Sequence, residues 1–98
     1  MNNQIMTVGF IGNGKSTNRY HAPFIRKLKD KIRIKMIYAR HPEKRDWDRL
    51  EGVEYTDDLN KLLGDPEIQV IIVTTPMGSH CEYAKMVLQA GKNCVVEK

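Results

Sequence analysis

Short aliphatic runs alternate with polar or amphipathic segments along the whole chain, and this alternation constrains the fold more than any other feature. It is typical of a sheet whose parallel strands are joined by crossover helices. The run 70–73 (VIIV) is apolar without a break, as expected of a strand that is buried on both faces. The sequence therefore predicts an α/β fold, a doubly wound parallel sheet with the order β-α-β-α-β-α-β-α-β and strands over residues 7–11, 32–39, 53–55, 69–75 and 94–97.

Four segments between these strands carry helix signals. Residues 20–28 have apolar side chains at helical spacing, and residues 41–50 form a polar segment with Pro42 at a position that suits the first turn. The third helix holds Leu59, Leu62 and Leu63; it is capped by Asp57 or Asp58 and closed by Gly64 at the left-handed position after its end. The fourth is capped by Ser79 and closed by Gly91.

Length and composition predict one domain over residues 1–98. Hydrophobic residues make up 41% and charged residues 29%, which is ordinary for a globular chain. No apolar run approaches the ~20 residues of a membrane span, and the polar N-terminus lacks the features of a secretory signal. Cys81 and Cys94 provide neither a disulfide framework nor a zinc site, and we expect both to be buried as small apolar side chains. We expect a cytoplasmic protein without a metal site.

Positive charge is concentrated in the first half of the chain. Residues 15–49 contain 12 Lys and Arg against 4 Asp and Glu, whereas residues 50–98 contain 4 against 8. A basic segment is compatible with nucleic acid, with a phosphate-bearing small ligand or with a solvated face. Because no aromatic residues are spaced along it for base stacking, we do not expect a nucleic-acid partner.

A glycine-rich loop follows the first predicted strand. It reads GNGKST over residues 12–17, one residue short of the dinucleotide fingerprint G-x-G-x-x-G. Gly12 permits the tight turn and Gly14 lets a pyrophosphate approach the backbone, while Lys15 and Ser16 lead into a helix whose free N–H groups attract phosphate. Thr17 replaces the third glycine and predicts a looser helix–strand fit or a helix that begins later.

The same stretch also satisfies a second motif. Residues 9–16 match G-x-x-x-x-G-K-[ST], the phosphate loop of nucleoside-triphosphate-binding proteins. That alternative would place Phe10 and Ile11 in an exposed loop. It would also need an unbroken helix where Pro23 stands and an acidic residue at the end of the strand before Pro76. The dinucleotide interpretation needs none of these and is favoured.

An ordered set of further motifs resembles the N-terminal domain of the Gfo/Idh/MocA oxidoreductases. These motifs are Gly12-x-Gly14, residues 19–25 (RYHAPFI), Thr75-Pro76 followed by His80, and residues 82–84 (EYA), 90–93 (AGKN) and 95–98 (VVEK). The resemblance implies a Rossmann domain and hydride transfer between a nicotinamide cofactor and a hydroxyl of a sugar or polyol. It also implies that the substrate domain and its general base follow Lys98. We therefore expect residues 1–98 to be a fragment, with a sheet incomplete at its C-terminus and no activity alone; whether it forms a homo-oligomer stays open.

The resemblance also assigns roles to residues beyond the glycine loop. Lys98 is the implied catalytic residue, polarising the substrate hydroxyl, and Glu97 beside it is expected to hold the strand end or a cofactor ribose. Thr75 and Pro76 are expected to form the floor beneath the ribose and nicotinamide. His80 either contacts the cofactor or starts the following helix.

The residues after the second strand bear on the choice of cofactor. NAD-preferring Rossmann domains carry an acidic residue there that binds the ribose 2′-hydroxyl. This chain instead has Arg40, whose guanidinium suits a 2′-phosphate. We therefore favour NADP over NAD as cofactor. A non-catalytic NAD(P) sensor is the remaining alternative, and it would not need Lys98.

Overall fold

One sheet of five parallel strands forms the centre of this computed structural model. The structure describes residues 5–14, 16–28, 30–41, 49–75 and 80–96, and for Ser16 it describes only the backbone. Across the sheet the strand order is β3-β2-β1-β4-β5. The strands are β1 (Met6–Ile11), β2 (Ile32–Tyr38), β3 (Glu54–Thr56), β4 (Val70–Val73) and β5 (Asn93–Val96).

Helices cover both faces of this sheet. A π-helical segment, Ser16–His21, continues directly into α1 (Ala22–Arg26), and α1 packs on one face through Ala22 and Ile25. Two helices pack on the opposite face, α2 (Leu59–Leu63) through Leu62 and α3 (His80–Gln89) through Val87. The predicted doubly wound parallel sheet is confirmed.

The first two helices that the sequence predicts differ from the structure in their bounds. The first helix was expected over residues 20–28, but helical structure already begins at Ser16 and ends at Arg26. The second was expected over residues 41–50. His41, Arg49 and Leu50 are not helical, and residues 42–48, Pro42 among them, lie outside the described part of the chain.

The central strand β1 contributes to both layers of the core. Val8 and Phe10 face α1, and Ile11 faces α2 and α3. Gly9 lets α2 approach, because a Cβ there would lie 2.7 Å from Leu62 Cδ1 and 3.3 Å from the carbonyl oxygen of Met36. Gly9 is therefore a packing residue within a strand.

The pairing of β1 with β2 contains an irregularity. Val8 pairs with Ile34 but Gly9 pairs with Met36, so Lys35 has no partner on β1. Such an extra residue turns the following side chains to the opposite face. Ile34 consequently packs in the α1 layer, whereas Met36 packs with α2 and α3.

Helix ends follow the sequence signals in part. The Asp58 carboxylate accepts N–H bonds from Asn60 (3.1 Å) and Lys61 (3.4 Å), which is the predicted cap. At the end of α3, Gly91 has φ +82°, and Lys92 N–H donates to Val87 O at 3.2 Å, as in a Schellman motif. Gly64 does close α2, but at φ −91°, so the expected left-handed conformation was wrong.

The surface of α3 overturns one expectation. Cys81 is exposed, and only Cys94 is partly buried against the core.

Within the described residues, no helix has the length and apolar content needed to cross a bilayer.

A charge cluster stabilises the edge of the sheet opposite the glycine loop. Lys35 Nζ lies 2.6 Å from Asp65 Oδ2 and 2.8 Å from Glu67 Oε1. The Asp65 side chain is only 8% exposed, and its carboxylate also accepts the Glu67 N–H at 2.9 Å. Burial acts to raise the pKa of Asp65, but the Lys35 and Glu67 bonds outweigh it and hold the pKa below its usual value.

Replacing the Asp65 carboxylate is expected to lower the free energy of unfolding by an amount that depends on pH. A lowered folded-state pKa stabilises the protein above the unfolded pKa of about 4, and this stabilisation is lost as the pH falls through the folded value. Asp65→Asn should lower the free energy of unfolding by about 1 kcal/mol at pH 7. Urea denaturation at pH 7 and at acidic pH measures the difference, which should shrink in acid.

Glu67→Gln is the matched control for this variant. The Glu67 side chain is 62% exposed, so removing its charge should cost much less than removing that of Asp65. Equal losses at pH 7 for the two variants, or an Asp65→Asn loss that persists unchanged in acid, would contradict the assignment.

Candidate functional site

Three loops meet at the carboxyl edge of the sheet. The N–H of Gly12, just after β1, donates to Tyr38 O at the end of β2 (2.9 Å). On the other side, the Thr74 N–H, just after β4, donates to Ile11 O (2.9 Å). The chain leaves β1 and β4 toward opposite neighbours, so this is the switch in strand order where open α/β sheets bind ligands.

The strand before the glycine loop distinguishes the two motifs. Phe10 and Ile11 are fully buried members of β1, and Gly9 lies within the same strand. A nucleoside-triphosphate phosphate loop would require these residues to leave the strand and surround a ligand. The loop begins instead at Gly12, as the dinucleotide fingerprint requires.

The two loop glycines have different surroundings. Gly12 has φ +121°, and a Cβ there would lie 2.5 Å from Thr74 Oγ1, so the protein itself requires glycine at this position. Among the described residues, no atom would lie within 4 Å of a Cβ at Gly14. The space beside Gly14 is therefore open to a ligand.

Thr17 does not loosen the helix–strand fit as predicted. Its side chain is fully buried, and its hydroxyl donates to Gly12 O at 2.9 Å. Its Oγ1 also lies 2.8 Å from Thr74 Oγ1. The helix does not begin later either: the Ser16–His21 segment starts directly after the loop, in the wider π-helical winding.

Asn18 also stabilises the loop through hydrogen bonds. Its Nδ2 donates to Asn13 Oδ1 and to Gly14 O, both at 2.9 Å, and its N–H donates to Gly14 O at 3.0 Å. The sequence analysis missed both Asn18 and Thr74. The usable signal was chemical, since Asn and Thr side chains readily bond to nearby backbone in loops and helix starts.

The loop after β4 presents a buried polar group. Thr75 Oγ1 makes no hydrogen bond within the described part of the chain, whereas the Thr75 carbonyl oxygen is bonded by His80 Nε2. His80 is also the first residue of α3, so it both starts the helix and fixes this loop. A buried hydroxyl without a partner at a ligand edge is a group that a bound polar molecule could satisfy.

Arg40 lies two residues beyond β2, at the same edge, and is exposed. The neighbouring Tyr38 packs near Tyr83 of α3, with ring centroids 6.3 Å apart. Burial raises the pKa of Tyr38, and Tyr83 adds to the rise, whereas the Arg40 guanidinium opposes it. The Asp57 carboxylate adds to the rise as well, so charges of both signs act at the end of β2.

Some predicted site residues lie outside the described part of the chain. They are Lys15, Pro76, Glu97 and Lys98, together with the side chain of Ser16. Among the residues that are described, no three His, Cys, Asp or Glu side chains come together as a metal site. The structure thus brings together Gly12, Gly14, Thr17, Arg40, Thr75 and His80 along one edge.

These residues suit a dinucleotide. The open face of Gly14 admits a pyrophosphate to the backbone, and the segment that follows offers helical N–H groups. On the other side of the switch point, none of the residues that the structure describes bonds to the Thr75 hydroxyl. Gly14 and Thr75 would therefore hold two parts of one extended cofactor.

Comparison with known proteins agrees with this geometry. Residues 6–98 match the family model GFO_IDH_MocA, described as an oxidoreductase family with an NAD-binding Rossmann fold. The chain is 40% identical over 95 residues to the uncharacterized oxidoreductase YhhX of Escherichia coli, and 38% identical over 92 residues to the scyllo-inositol 2-dehydrogenase (NADP(+)) IolW of Bacillus subtilis. These matches cover 96% and 93% of this chain but 28% and 25% of the relatives.

Solved structures agree as well. The crystal structure of the probable oxidoreductase yhhX superposes with a TM-score of 0.88 at 42% identity, over 96% of this chain and 28% of that one. GenD2 from gentamicin A biosynthesis, solved in complex with NAD, superposes with a TM-score of 0.85 at 25% identity, over 97% and 27%. The chain spans little more than a quarter of the length of these relatives. It belongs to the GFO_IDH_MocA oxidoreductase family, of which it forms the NAD-binding Rossmann domain.

Proposed function

We propose that this domain binds NADP in preference to NAD, for a reversible hydride transfer to or from a hydroxyl-bearing carbon of a sugar or polyol. When bound, the cofactor supplies the hydride chemistry, and the protein binds, orients and polarises. The single observation that carries the proposal is the open backbone at Gly14. The buried Thr75 hydroxyl on the opposite side of the switch point, which has no partner among residues 5–14, 16–28, 30–41, 49–75 and 80–96, supports it.

The substrate class is supported by one relative in particular. The Bacillus subtilis protein is named for a dehydrogenation of scyllo-inositol that uses NADP(+), and it aligns with 93% of this chain. A cyclic polyol presents hydroxyl groups on a ring of carbons, each a possible hydride donor. We therefore propose a polyol or sugar as the substrate of the whole protein.

The loop glycines provide the first test, because their surroundings differ. Gly14→Val fills the open face and should raise the dissociation constant for NADPH at least about tenfold while leaving stability unchanged. Gly12→Ala places its Cβ against Thr74 and should lower the free energy of unfolding by about 2 kcal/mol. Fluorescence titration and urea denaturation measure the two effects. Unchanged NADPH affinity in Gly14→Val would overturn the assignment of the loop.

Lys98 is proposed as the catalytic residue. Strand β5 ends at Val96 on the cofactor edge of the sheet, two residues before Lys98, and an ammonium group there could stabilise the substrate alkoxide during hydride transfer. Lys98→Met should lower kcat at least about a hundredfold and leave the NADPH dissociation constant nearly unchanged. Steady-state kinetics with polyols and a binding titration measure both. Unchanged turnover would refute the catalytic role of Lys98, whereas a wild-type protein that binds NADPH but turns over no polyol would favour a non-catalytic sensor.

Arg40 is proposed to discriminate between the cofactors. The end of β2 runs Tyr38-Ala39-Arg40-His41 and offers no carboxylate to receive a ribose 2′-hydroxyl. A guanidinium binds a phosphate through two parallel hydrogen bonds, which a hydroxyl cannot match. The 2′-phosphate of NADP would therefore be the preferred partner of Arg40.

Arg40→Ala should weaken NADPH binding about tenfold and leave NADH binding nearly unchanged. Arg26→Ala is the matched control, since Arg26 is an equally exposed arginine at the far end of α1 and its removal changes the net charge equally. Titrations of both cofactors against wild type and the two variants measure the ratio. Equal affinities in the wild type, or an Arg40→Ala variant that still prefers NADPH, would refute this role.

A further inference from the structure

The two threonine hydroxyls at the switch point form a connected group. Thr17 Oγ1 lies 2.9 Å from Gly12 O and 2.8 Å from Thr74 Oγ1, and Thr74 Oγ1 lies 3.2 Å from Ile11 O. The group links the loop after β1 to the loop after β4. We call the Thr17 and Thr74 side chains the hydroxyl clasp.

The Thr17 hydroxyl is the donor that holds the loop. It donates to the carbonyl of Gly12 at 2.9 Å, and each threonine hydroxyl has only one hydrogen to donate. The Thr74 hydroxyl can donate either to Thr17 Oγ1 at 2.8 Å or to Ile11 O at 3.2 Å. In both cases the hydrogen of Thr17 stays on the carbonyl of Gly12.

Holding this carbonyl determines the orientation of the next N–H group. In a trans peptide the C=O and N–H bonds point to opposite sides of the chain. The Gly12 carbonyl points toward the fully buried Thr17 side chain, so the Asn13 N–H points away from it, out of the core. Gly12 is free to adopt this arrangement because it has no Cβ and a φ of +121°.

We propose that Thr17 and Thr74 are positioning residues: their hydroxyl clasp holds the Gly12–Asn13 peptide with its N–H directed at the cofactor pyrophosphate. The inference rests on the proposed dinucleotide function and deepens it. Thr17 occupies the place of the third fingerprint glycine, whose usual contribution is close helix–strand packing. Here the Thr17 side chain is fully buried in the π-helical segment Ser16–His21 and makes the close contact through its hydroxyl.

The test compares variants of the clasp in the full-length protein. Thr17→Val keeps the shape and removes the hydroxyl, so the NADPH dissociation constant should rise about tenfold. Thr17→Ser keeps the hydroxyl and should stay within about twofold of wild type. Thr7→Val is the matched control, because Thr7 is a buried threonine at the other end of β1, and it should leave binding unchanged.

Two further measurements separate positioning from general stability. In ligand-free protein, the backbone amide resonance of Asn13 should shift in Thr17→Val and return in Thr17→Ser. Thr74→Val should also weaken NADPH binding, and the double variant should bind no more weakly than Thr17→Val, because both residues act through one chain of bonds. Thr74→Val carries the same prediction should Thr17→Val fail to fold.

The outcomes are distinct. A wild-type protein that binds neither NADPH nor NADH overturns the proposed function and the clasp with it. A wild-type protein that binds NADPH, with equal affinity in Thr17→Val and Thr74→Val, overturns the clasp alone. Thr17→Ser as weak as Thr17→Val would show that the hydroxyl is not responsible, and would also overturn it.

Discussion

The parallel pairing of β1 with β4 is the constraint on which the rest of the structure depends. It places two strands side by side whose onward connections run to opposite faces, α1 on one side and α3 on the other. The loops that leave them therefore meet at Gly12 and Thr74, beside the strands, and run apart beyond that point. Every feature of the candidate site is a consequence of that divergence, because the switch point is where backbone and hydroxyl groups of two loops face one ligand.

The sequence predicts the order of the strands and helices well, but predicts less well on which face of the sheet each strand side chain lies. Unbroken aliphatic runs identify buried strands because both faces of such a strand meet helices, and this holds for β1 and β4. In β2 the alternation of Ile32, Ile34 and Met36 suggests one common face, yet Met36 lies on the other. The cause is the extra residue Lys35, and an irregularity that depends on the register of a neighbouring strand leaves no mark in a single sequence.

For the candidate site, the spacing of the sequence motifs predicts which loops form it, but not which hydrogen bonds hold those loops in place. The fingerprint predicts Gly12 for a tight turn, and the structure adds a second reason, the closeness of the Thr74 side chain. Thr17 is predicted to loosen the helix–strand fit, and instead it bonds a residue 57 positions away. Contacts of this range depend on the folded arrangement of strands, so the importance of Thr74 could not be read from its neighbours in the chain.

The bond between His80 and Thr75 has a consequence for the tautomer of the ring. A carbonyl oxygen can only accept, so Nε2 of His80 carries the hydrogen. In the neutral ring, Nδ1 is therefore the acceptor atom. The start of α3 is thus attached to the loop after β4 through a side chain whose donor and acceptor atoms have defined places.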